Sequence, residues 1–255
     1  LRGNRFVQGE QVYLPLYEAK MMHQFDHRFA TYTENGDTRD VTQEEKTNPT
    51  FEPLPRYWVQ AEEVRDRLVK TTRNGRVEWE WNHDWLLAFR NVTNATNERT
   101  AIFSVVPRVG VGHSAPLVFS LNKLAGPLLT ANMATHVFDY AVRQKLGGTN
   151  MTFGYVQQYP VLAPENYSEE DVRFICARSL ELLHTSWEVQ PMADELGAST
   201  GPFVWDDDRR FWLRAELDAL YFHLYGISRD DVEYIMETFP IVKRKDEEEH
   251  GCYRT

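Results

Sequence analysis

The chain has 255 residues, 42% of them hydrophobic, and a formal net charge of -10. This length allows one large core or two smaller ones, and no apolar run approaches the ~18 residues that a membrane span needs. The chain opens with Leu1 and shows no signal-peptide pattern, so we expect a piece of a larger protein of the cytoplasm. The separated cysteines Cys176 and Cys252 are expected to be thiols in a reducing compartment.

The charge is distributed unevenly along the chain. Leu1 to Ala163 contains 18 Lys+Arg and 17 Asp+Glu, net +1, and Pro164 to Thr255 contains 10 basic and 21 acidic residues, net -11. Within Arg99 to Thr149 the only acid is Asp139, against five bases, net +4. These bases are Arg99, Arg108, Lys123, Arg143 and Lys145. Phosphate binding needs such a local surplus and tolerates acid elsewhere, so the composition does not exclude nucleic acid.

The first part of the chain predicts short strands and loops. Gln11 to Leu16 is strand-like, and the polar, acidic loop from Asn35 to Asn48 is expected to be mobile. Ala61 to Lys70 is amphipathic and predicts a short helix. The apolar, β-branched run Ala101 to Val106 predicts a strand, and Leu117 to Ser120 predicts a returning strand, so we expect a hairpin-like pair around a glycine loop.

The stretch from Leu128 to Pro164 predicts a helix, a glycine turn, a polar tip and a proline-ended strand. Apolar residues recur at helical spacing, Arg143 and Lys145 place positive charge in the last turn, and two adjacent glycines end the helix. The small polar residues Thr149 to Thr152 form the tip, and the apolar run Val156 to Val161 leads into prolines that no helix can continue through. An exposed, cationic tip of this kind is typical of a DNA-reading module.

This arrangement resembles the target-recognition domains of DNA methyltransferases and restriction enzymes, above all type I specificity subunits and the C-terminal specificity domain of type IIG-like adenine methylases. The matching residues are Asn132 to Lys145, Gly147, Gly148, Thr149 and Tyr159 to Pro164. Further blocks in the same order look like the C-terminal third of large adenine methylases or restriction-modification proteins of phage-defence systems. These blocks are Tyr17 to Tyr32, Phe51 to Val59, Glu98 to Ser120 and Leu213 to Lys245.

The resemblance implies an α+β fold, with a mixed α/β target-recognition domain over residues 1–164 and an acidic helical bundle over residues 165–255. It implies recognition of a specific site in double-stranded DNA by a non-catalytic part of a restriction-modification or phage-defence protein. The parent protein would methylate adenine N6 with S-adenosylmethionine, with or without a Mg²⁺-dependent nuclease domain. Its methyltransferase domain would be the protein partner of this chain.

Eight residues are candidate DNA contacts, namely Arg28, Arg108, His113, Ser114, Arg143, Lys145, Thr149 and Asn150. Arg108, His113 and Ser114 flank a glycine loop where the backbone can approach DNA, and arginine suits a bidentate contact with guanine. Arg143 and Lys145 either neutralise phosphates or only complement the helix dipole.

The other candidates also have two interpretations. Thr149 and Asn150 either reach base edges or satisfy the turn that they form. Arg28 and His27 either meet DNA or form a buried network with Asp26, and the network is the favoured interpretation.

The last third of the chain predicts helices. A first helix starts at Ser168 and runs to about Val189, and a second covers Asp206 to Tyr225 and ends at Gly226. A third helix starts at Ser228 and runs through Met236. Their apolar faces are expected to pack together, and this acidic block is expected to brace the recognition domain or dock onto the methylase part.

Catalytic motifs are incomplete in this sequence. Asn48 to Phe51 lacks the second proline of the adenine-methylase motif, and Arg108 to Gly112 lacks the helix that should follow a cofactor-binding turn. Glu18 to Lys20 matches half of a metal-dependent nuclease motif, and His23 and His27 have zinc-ligand spacing without a third ligand. We therefore expect no cofactor and no metal within this chain. A structural docking module and, ranking lower, an autonomous nuclease remain as alternatives.

Overall fold

Short strands dominate the first half of the chain and helices the second half in the computed structural model, which describes residues 4–120, 122, 124–198 and 200–255. The fold is α+β, as predicted. Lys123, one of the five bases counted above, lies outside the described residues. The strands are β1 (Phe6–Gln8), β2 (Gln11–Tyr17), β3 (Ala30–Tyr32), β4 (Thr38–Asp40), β5 (Trp58–Gln60), β6 (Val69–Thr71), β7 (Val77–Glu80), β8 (Trp85–Phe89), β9 (Phe103–Pro107), β10 (Gly110–Val111) and β11 (Leu117–Val118).

The helices connect and cover these strands. They are α1 (Gln43–Thr47), α2 (Ala61–Arg67), α3 (Ala125–Ala134), α4 (His136–Lys145), α5 (Phe153–Val156), α6 (Glu169–Leu183), α7 (Gln190–Glu195), α8 (Asp207–Leu224), α9 (Arg229–Glu237) and α10 (Pro240–His250). Among the described residues, no helix combines the length and the apolar character needed to cross a membrane.

Two small sheets organise the first half. In the first, β2 pairs antiparallel with β1 and β5 and parallel with β10, with Gly110 opposite Leu16. In the second, β8 lies between β11 and β9, and both pairs are antiparallel. The predicted hairpin of residues 101–106 with residues 117–120 is therefore wrong. Every residue of β8 is buried, so this apolar strand lies in the centre of the sheet with a partner on each edge.

The predicted loop from Asn35 to Asn48 contains regular structure. Strand β4 pairs with β3, and α1 begins with a capping box in which Thr42 and Glu45 each bond the other's backbone N–H. Arg39 also forms a 2.6 Å ion pair with Glu45. These local bonds order a segment whose polar composition suggested a mobile loop.

The predicted helix before the glycine turn is two helices. Helix α3 ends at Ala134, and the side chain of Thr135 caps α4 by accepting from the Phe138 N–H. The predicted strand of residues 156–161 is wrong, because α5 and a turn occupy that region. Pro160 and Pro164 have no N–H to donate to a strand partner.

The C-terminal helices differ from the prediction at two places. Helix α6 ends at Leu183 rather than near Val189, and α10 covers the charged run that was not predicted as a helix. Pro240 at its first position and Gly251 with φ of 74° at its end give α10 local start and stop signals. Helices α8 and α9 begin after Asp206 and Ser228, as predicted.

One hydrophobic core continues through the described parts of both proposed domains, from Tyr17 to Val242. Helix α6 packs against α3, and α8 packs against α6 and α4. The Ser179 hydroxyl donates to the Pro127 carbonyl at 3.2 Å across this junction. The helical part therefore braces the strand-rich part through shared apolar packing, and the domain boundary at residue 164 stays a prediction.

Candidate nucleic-acid interface

Four loops are joined by hydrogen bonds, and together they form what we call the four-loop surface. The loops are residues 18–20, 91–94, 112–114 and 147–153, and the last of them includes the first residue of α5. The Ala19 N–H donates to the Ser114 Oγ at 3.3 Å, and the Asn91 N–H donates to the Ser114 carbonyl at 2.9 Å. Ser114 therefore ties the first and second loops to the third.

The fourth loop is attached to the second by backbone bonds. The Met151 N–H donates to the Asn91 carbonyl at 2.8 Å, and the Thr93 N–H donates to the Thr149 carbonyl at 3.0 Å. Met151 is fully buried between these bonds and anchors the loop in the core. The tip that follows the two glycines thus has a fixed position beside the second loop.

The exposed side chains of the four-loop surface are of several chemical types. Val92 is 61% exposed and Phe153 is 55% exposed, which is high for large apolar side chains. The exposed polar side chains are Lys20, His113, Thr149, Asn150 and Thr152. Polar groups can read base edges or phosphates, and exposed apolar groups can contact sugars, thymine methyls or unstacked bases.

The four-loop surface is poor in acid although the whole chain is acidic. Its only acid in the sequence is Glu18, whose carboxylate accepts the Tyr32 hydroxyl. The Lys20 ammonium lies 4.6 Å from the centre of the Tyr32 ring. Two further features favour contact with a polyanion: exposed Lys145 ends the helix that leads into the fourth loop, and open space surrounds Gly148.

Five of the eight predicted DNA contacts lie at or beside the four-loop surface. His113, Thr149 and Asn150 project from its loops, and Ser114 holds the loops together. Lys145 is exposed and donates to the Gln158 carbonyl at 3.2 Å. Sequence spacing did not indicate Val92 and Phe153. Val92 lies between Asn91 and Thr93, and Phe153 lies between Thr152 and Gly154, so a single apolar residue within a polar or glycine-containing segment would have been the signal for them.

Arg108 is not part of this surface. Its N–H donates to the Asp84 carbonyl at 3.1 Å, and its guanidinium lies 3.4 Å from the Asp84 carboxylate, at the start of β8. Ser114 contacts Asn91 beyond the opposite end of the same strand. Arg108 and Ser114 therefore contact residues beyond opposite ends of β8, and β10 lies between them in the chain, so the two residues do not share one loop.

Arg143 is a structural residue rather than an exposed phosphate contact. Its side chain is 9% exposed, and its guanidinium donates to the carbonyls of Asn97, Glu98 and Thr238. The guanidinium carbon lies 4.0 Å from the centre of the Phe239 ring. Burial is the main cause of a lowered pKa for Arg143, which nevertheless stays a cation.

The carboxylate of Asp139 is the centre of this buried network. It is fully buried and accepts from Arg99 Nε at 2.8 Å and from the Thr100 and Ala101 N–H groups. Arg143 Nε lies 3.6 Å away on its other side. The sequence carried a signal for this network, since Asp139 is the only acid among residues 99–149 and lies on the buried side of an amphipathic helix.

Arg28 is also in the interior, as the favoured interpretation predicted. It is 0% exposed, and its guanidinium donates to the carbonyls of Lys46, Asn48 and Thr185 at 2.8–2.9 Å. Its N–H donates to Asp26, which pairs with Lys46 at 2.8 Å. Arg28 therefore joins segments that are far apart in sequence and does not face a DNA surface.

A buried carboxyl group lies close to Arg28. Glu188 Oε1 accepts from Asn4 Nδ2 at 3.1 Å, and Oε2 lies 3.7 Å from His27 Nε2. Burial raises the pKa of Glu188 to about 7, and the negative charge of Glu52 adds to this shift. The folded protein thus holds a proton on Glu188 at pH values where the unfolded chain has lost it.

Between about pH 4 and about pH 8, the free energy of unfolding of Glu188→Gln relative to the wild type should increase by about 3 kcal/mol. The raised pKa stabilises the fold at low pH, and this contribution is lost as pH rises from about 4.5 to about 7. Glutamine cannot ionise and removes this loss. Urea unfolding at both pH values measures the effect, and an equal wild-type-to-variant difference at the two would contradict a raised pKa.

Two of the incomplete catalytic motifs contain residues with structural contacts. Glu18 is bonded to Tyr32, and the described residues contain no group of three or more His, Cys, Asp and Glu arranged to hold a metal ion. A side chain at Gly110 would come within 2.5 Å of Val59, so strand packing explains this glycine of the G-x-G pattern. Gly110 lies in β10, which pairs with β2.

Comparisons with protein-family models, curated proteins and solved structures gave no significant match.

Proposed function

We propose that this chain recognises a site in double-stranded DNA through the four-loop surface, as a non-catalytic part of a restriction-modification or phage-defence protein of the cytoplasm. The observation that carries the proposal is the joining of four loops into one acid-poor surface on an acidic protein. By the resemblance, the parent protein is an adenine-N6 methyltransferase that uses S-adenosylmethionine. Mg²⁺ belongs to the proposal only for a parent that also carries a nuclease domain.

The chemistry of the loops supports separate roles for their residues. Lys20 and Lys145 supply positive charge for phosphates and His113 supplies a ring N–H donor, and these groups set affinity and position. Thr149 and Asn150 offer hydroxyl and amide groups to base edges, which set specificity. The glycine turn brings the backbone close to the groove, and Phe153 offers an apolar contact beside it.

We expect the chain to bind random-sequence duplex DNA at low salt and to lose affinity steeply as salt rises. The triple variant Lys20→Ala/His113→Ala/Lys145→Ala should bind about tenfold more weakly. The slope of the logarithm of the binding constant against the logarithm of the salt concentration should become shallower by about one for each phosphate contact removed. Fluorescence anisotropy with labelled duplex measures both quantities. The three side chains are exposed, so the variant should keep its fold.

The matched control is the double variant Lys70→Ala/Lys243→Ala, which removes two amino groups outside the four loops. Both lysines pair with glutamates, at 2.9 Å and 2.8 Å respectively. The control should bind DNA like the wild type. Equal losses in the control and the triple variant would mean that general charge, rather than the four-loop surface, determines binding.

A second candidate function is docking onto the methyltransferase domain of the same parent chain. An apolar groove of about 500 Å³ favours it, with Leu16, Val59, Leu86 and Leu117 among its lining residues. Phe6 is 41% exposed and packs against Trp58 in the same sheet. Docking through apolar surface should persist at high salt, whereas DNA binding should not, so the salt titration separates the two functions.

A further inference from the structure

Strands β6 and β7 form a two-stranded arm, residues 69–80, which we call the β6–β7 arm. Among the described residues, these two strands pair only with each other, and residues 70–78 are all exposed. The core holds the base of the arm. The Trp81 N–H donates to the Leu68 carbonyl at 2.8 Å, and the centre of the Trp79 ring lies 4.9 Å from that of Phe119. The arm therefore projects into solvent from a fixed base.

Backbone bonds fix the turn at the tip of the β6–β7 arm. The Gly75 N–H donates to the Thr72 carbonyl at 2.9 Å, and the Thr72 N–H donates to the Arg76 carbonyl at 2.8 Å. Gly75 has φ of 76°, which glycine adopts without strain. These features are typical of a hairpin in which a tight turn is followed by a glycine bulge. Arg73 and Asn74 are the central residues of this turn and form the outer end of the arm.

The tip of the β6–β7 arm carries positive charge without acid. Residues 67–77 contain four bases and no acid, and glutamates pair with the first two of these bases. The other two, Arg73 and Arg76, have no carboxylate partner among the described residues. The four bases are Arg67, Lys70, Arg73 and Arg76. Two unpaired guanidiniums at the end of an exposed arm favour a partner of negative charge, although the whole chain has a net charge of -10.

The acids of the β6–β7 arm lie nearer its base. The arm contains three bases and two acids, and both acids are in β7. Glu78 accepts from Lys70 at 2.9 Å, so these two charges balance each other. Glu80 lies opposite Val69, in the pair of residues farthest from the turn. The surplus of positive charge is therefore located at the turn.

The shape of the β6–β7 arm favours duplex DNA as this partner. A two-stranded ribbon fits into the major groove, which is about 12 Å wide, whereas the minor groove is only about 6 Å wide. Phosphates border the groove on both sides, within reach of arginines on either side of a turn. A membrane surface would require apolar residues at the tip, but residues 72–76 are polar or glycine.

We propose that the β6–β7 arm is a second DNA contact, with its tip in the major groove and with Arg73 and Arg76 on the phosphates that border it. The inference rests on the proposed function for the identity of the partner, and the arm shares no residue with the four-loop surface. The arm leads into the start of β8, whereas Asn91 of the four-loop surface follows its end. This five-residue strand is about 17 Å long, so a duplex of about 20 base pairs is long enough to contact both elements.

Fluorescence anisotropy with a random-sequence duplex of about 20 base pairs at low salt tests the role of the arm. Arg73→Ala/Arg76→Ala should bind about tenfold more weakly than the wild type, and the slope of its logarithmic salt dependence should be shallower by about two. Arg73→Lys/Arg76→Lys should keep most of the affinity, because lysine also neutralises phosphates. Wild-type affinity in Arg73→Ala/Arg76→Ala would overturn the arm as a DNA contact.

The matched control is Arg229→Ala/Arg244→Ala, which removes two arginines that pair with glutamates on α9 and α10. It should bind DNA like the wild type, and a loss equal to that of the arm variant would also overturn the proposal. The substitutions at Arg73 and Arg76 leave the backbone bonds of the turn in place, and circular dichroism checks that the variants stay folded.

A duplex whose cytosines carry glucosyl groups on the C5 substituent identifies the groove. These groups fill the major groove and leave the phosphate charge unchanged. They should weaken binding by the wild type by a larger factor than binding by Arg73→Ala/Arg76→Ala. Equal factors for the two proteins would overturn the placement of the tip in the major groove.

The measurements separate this inference from recognition by the four-loop surface. DNA binding that is weakened by Lys20→Ala/His113→Ala/Lys145→Ala and unchanged by Arg73→Ala/Arg76→Ala would overturn the arm contact alone. The reverse result would support the arm and overturn the four-loop surface. Absence of binding by the wild type at low salt would overturn both.

Discussion

Replacing Asp139 with alanine is expected to lower the free energy of unfolding by about 3–5 kcal/mol, because it leaves buried cations without their carboxylate. Arg99 is 11% exposed and Arg143 is 9% exposed, so water can replace little of the lost interaction. The Thr100 and Ala101 N–H groups would also lose their acceptor in the core. Urea unfolding followed by tryptophan fluorescence measures this effect.

Two controls show whether the loss comes from the buried charge of Asp139. Asp139→Asn keeps the shape and one acceptor oxygen, so its loss should be intermediate. Asp66→Ala removes a carboxylate that is 68% exposed, and its effect should be within about 0.5 kcal/mol of zero. A loss below about 1 kcal/mol for Asp139→Ala would contradict the central place of Asp139 in the network.

Replacing Arg28 with alanine is expected to cost about 3 kcal/mol or more, because three carbonyl groups lose a charged donor and a cavity remains. Those carbonyls belong to Lys46, Asn48 and Thr185, so the substitution separates the N-terminal turns from the segment after α6. Arg28→Lys should recover only a small part of the loss, because one ammonium cannot reproduce the guanidinium geometry. Urea unfolding of both variants measures the effect.

The same variants distinguish a structural role from DNA contact. A DNA-contacting Arg28 would give a variant with normal unfolding and weaker DNA binding. A structural Arg28 gives lower stability, and DNA binding changes only to the extent that the protein unfolds. Arg56→Ala, at an exposed arginine, is the control and should change the free energy of unfolding by less than about 0.5 kcal/mol.

The sequence predicted elements whose signals are local. Asp206 and Ser228 cap α8 and α9 through their own side chains, and Gly226 has the positive φ expected after a helix. By contrast, loops separate β8 from both of its partner strands, β9 and β11, along the chain. The hydrophobic pattern alone did not indicate whether β9 pairs with β8 or with β11. Pro240 and Gly251, which mark the start and end of α10, are also local signals. The charged residues between them did not suggest a helix, so α10 was not predicted.

The candidate site was predictable where loops expose polar residues beside glycines. His113, Thr149 and Asn150 were identified in this way. The roles of Arg28 and Arg143 depend on distant carbonyls instead, 157 residues away in the case of Thr185 and 95 in the case of Thr238. The residues next to an arginine in the sequence do not indicate whether a distant carbonyl will accept a hydrogen bond from its guanidinium.

Hydrogen exchange of the backbone amides, measured by mass spectrometry with and without duplex DNA at low salt, tests DNA recognition by the four-loop surface most directly. We predict slower exchange in residues 18–20, 91–94, 112–114 and 147–153, and no change in the exposed helix α9. Bound DNA with unchanged exchange in all four loops, or protection confined to other segments, would contradict the proposed interface.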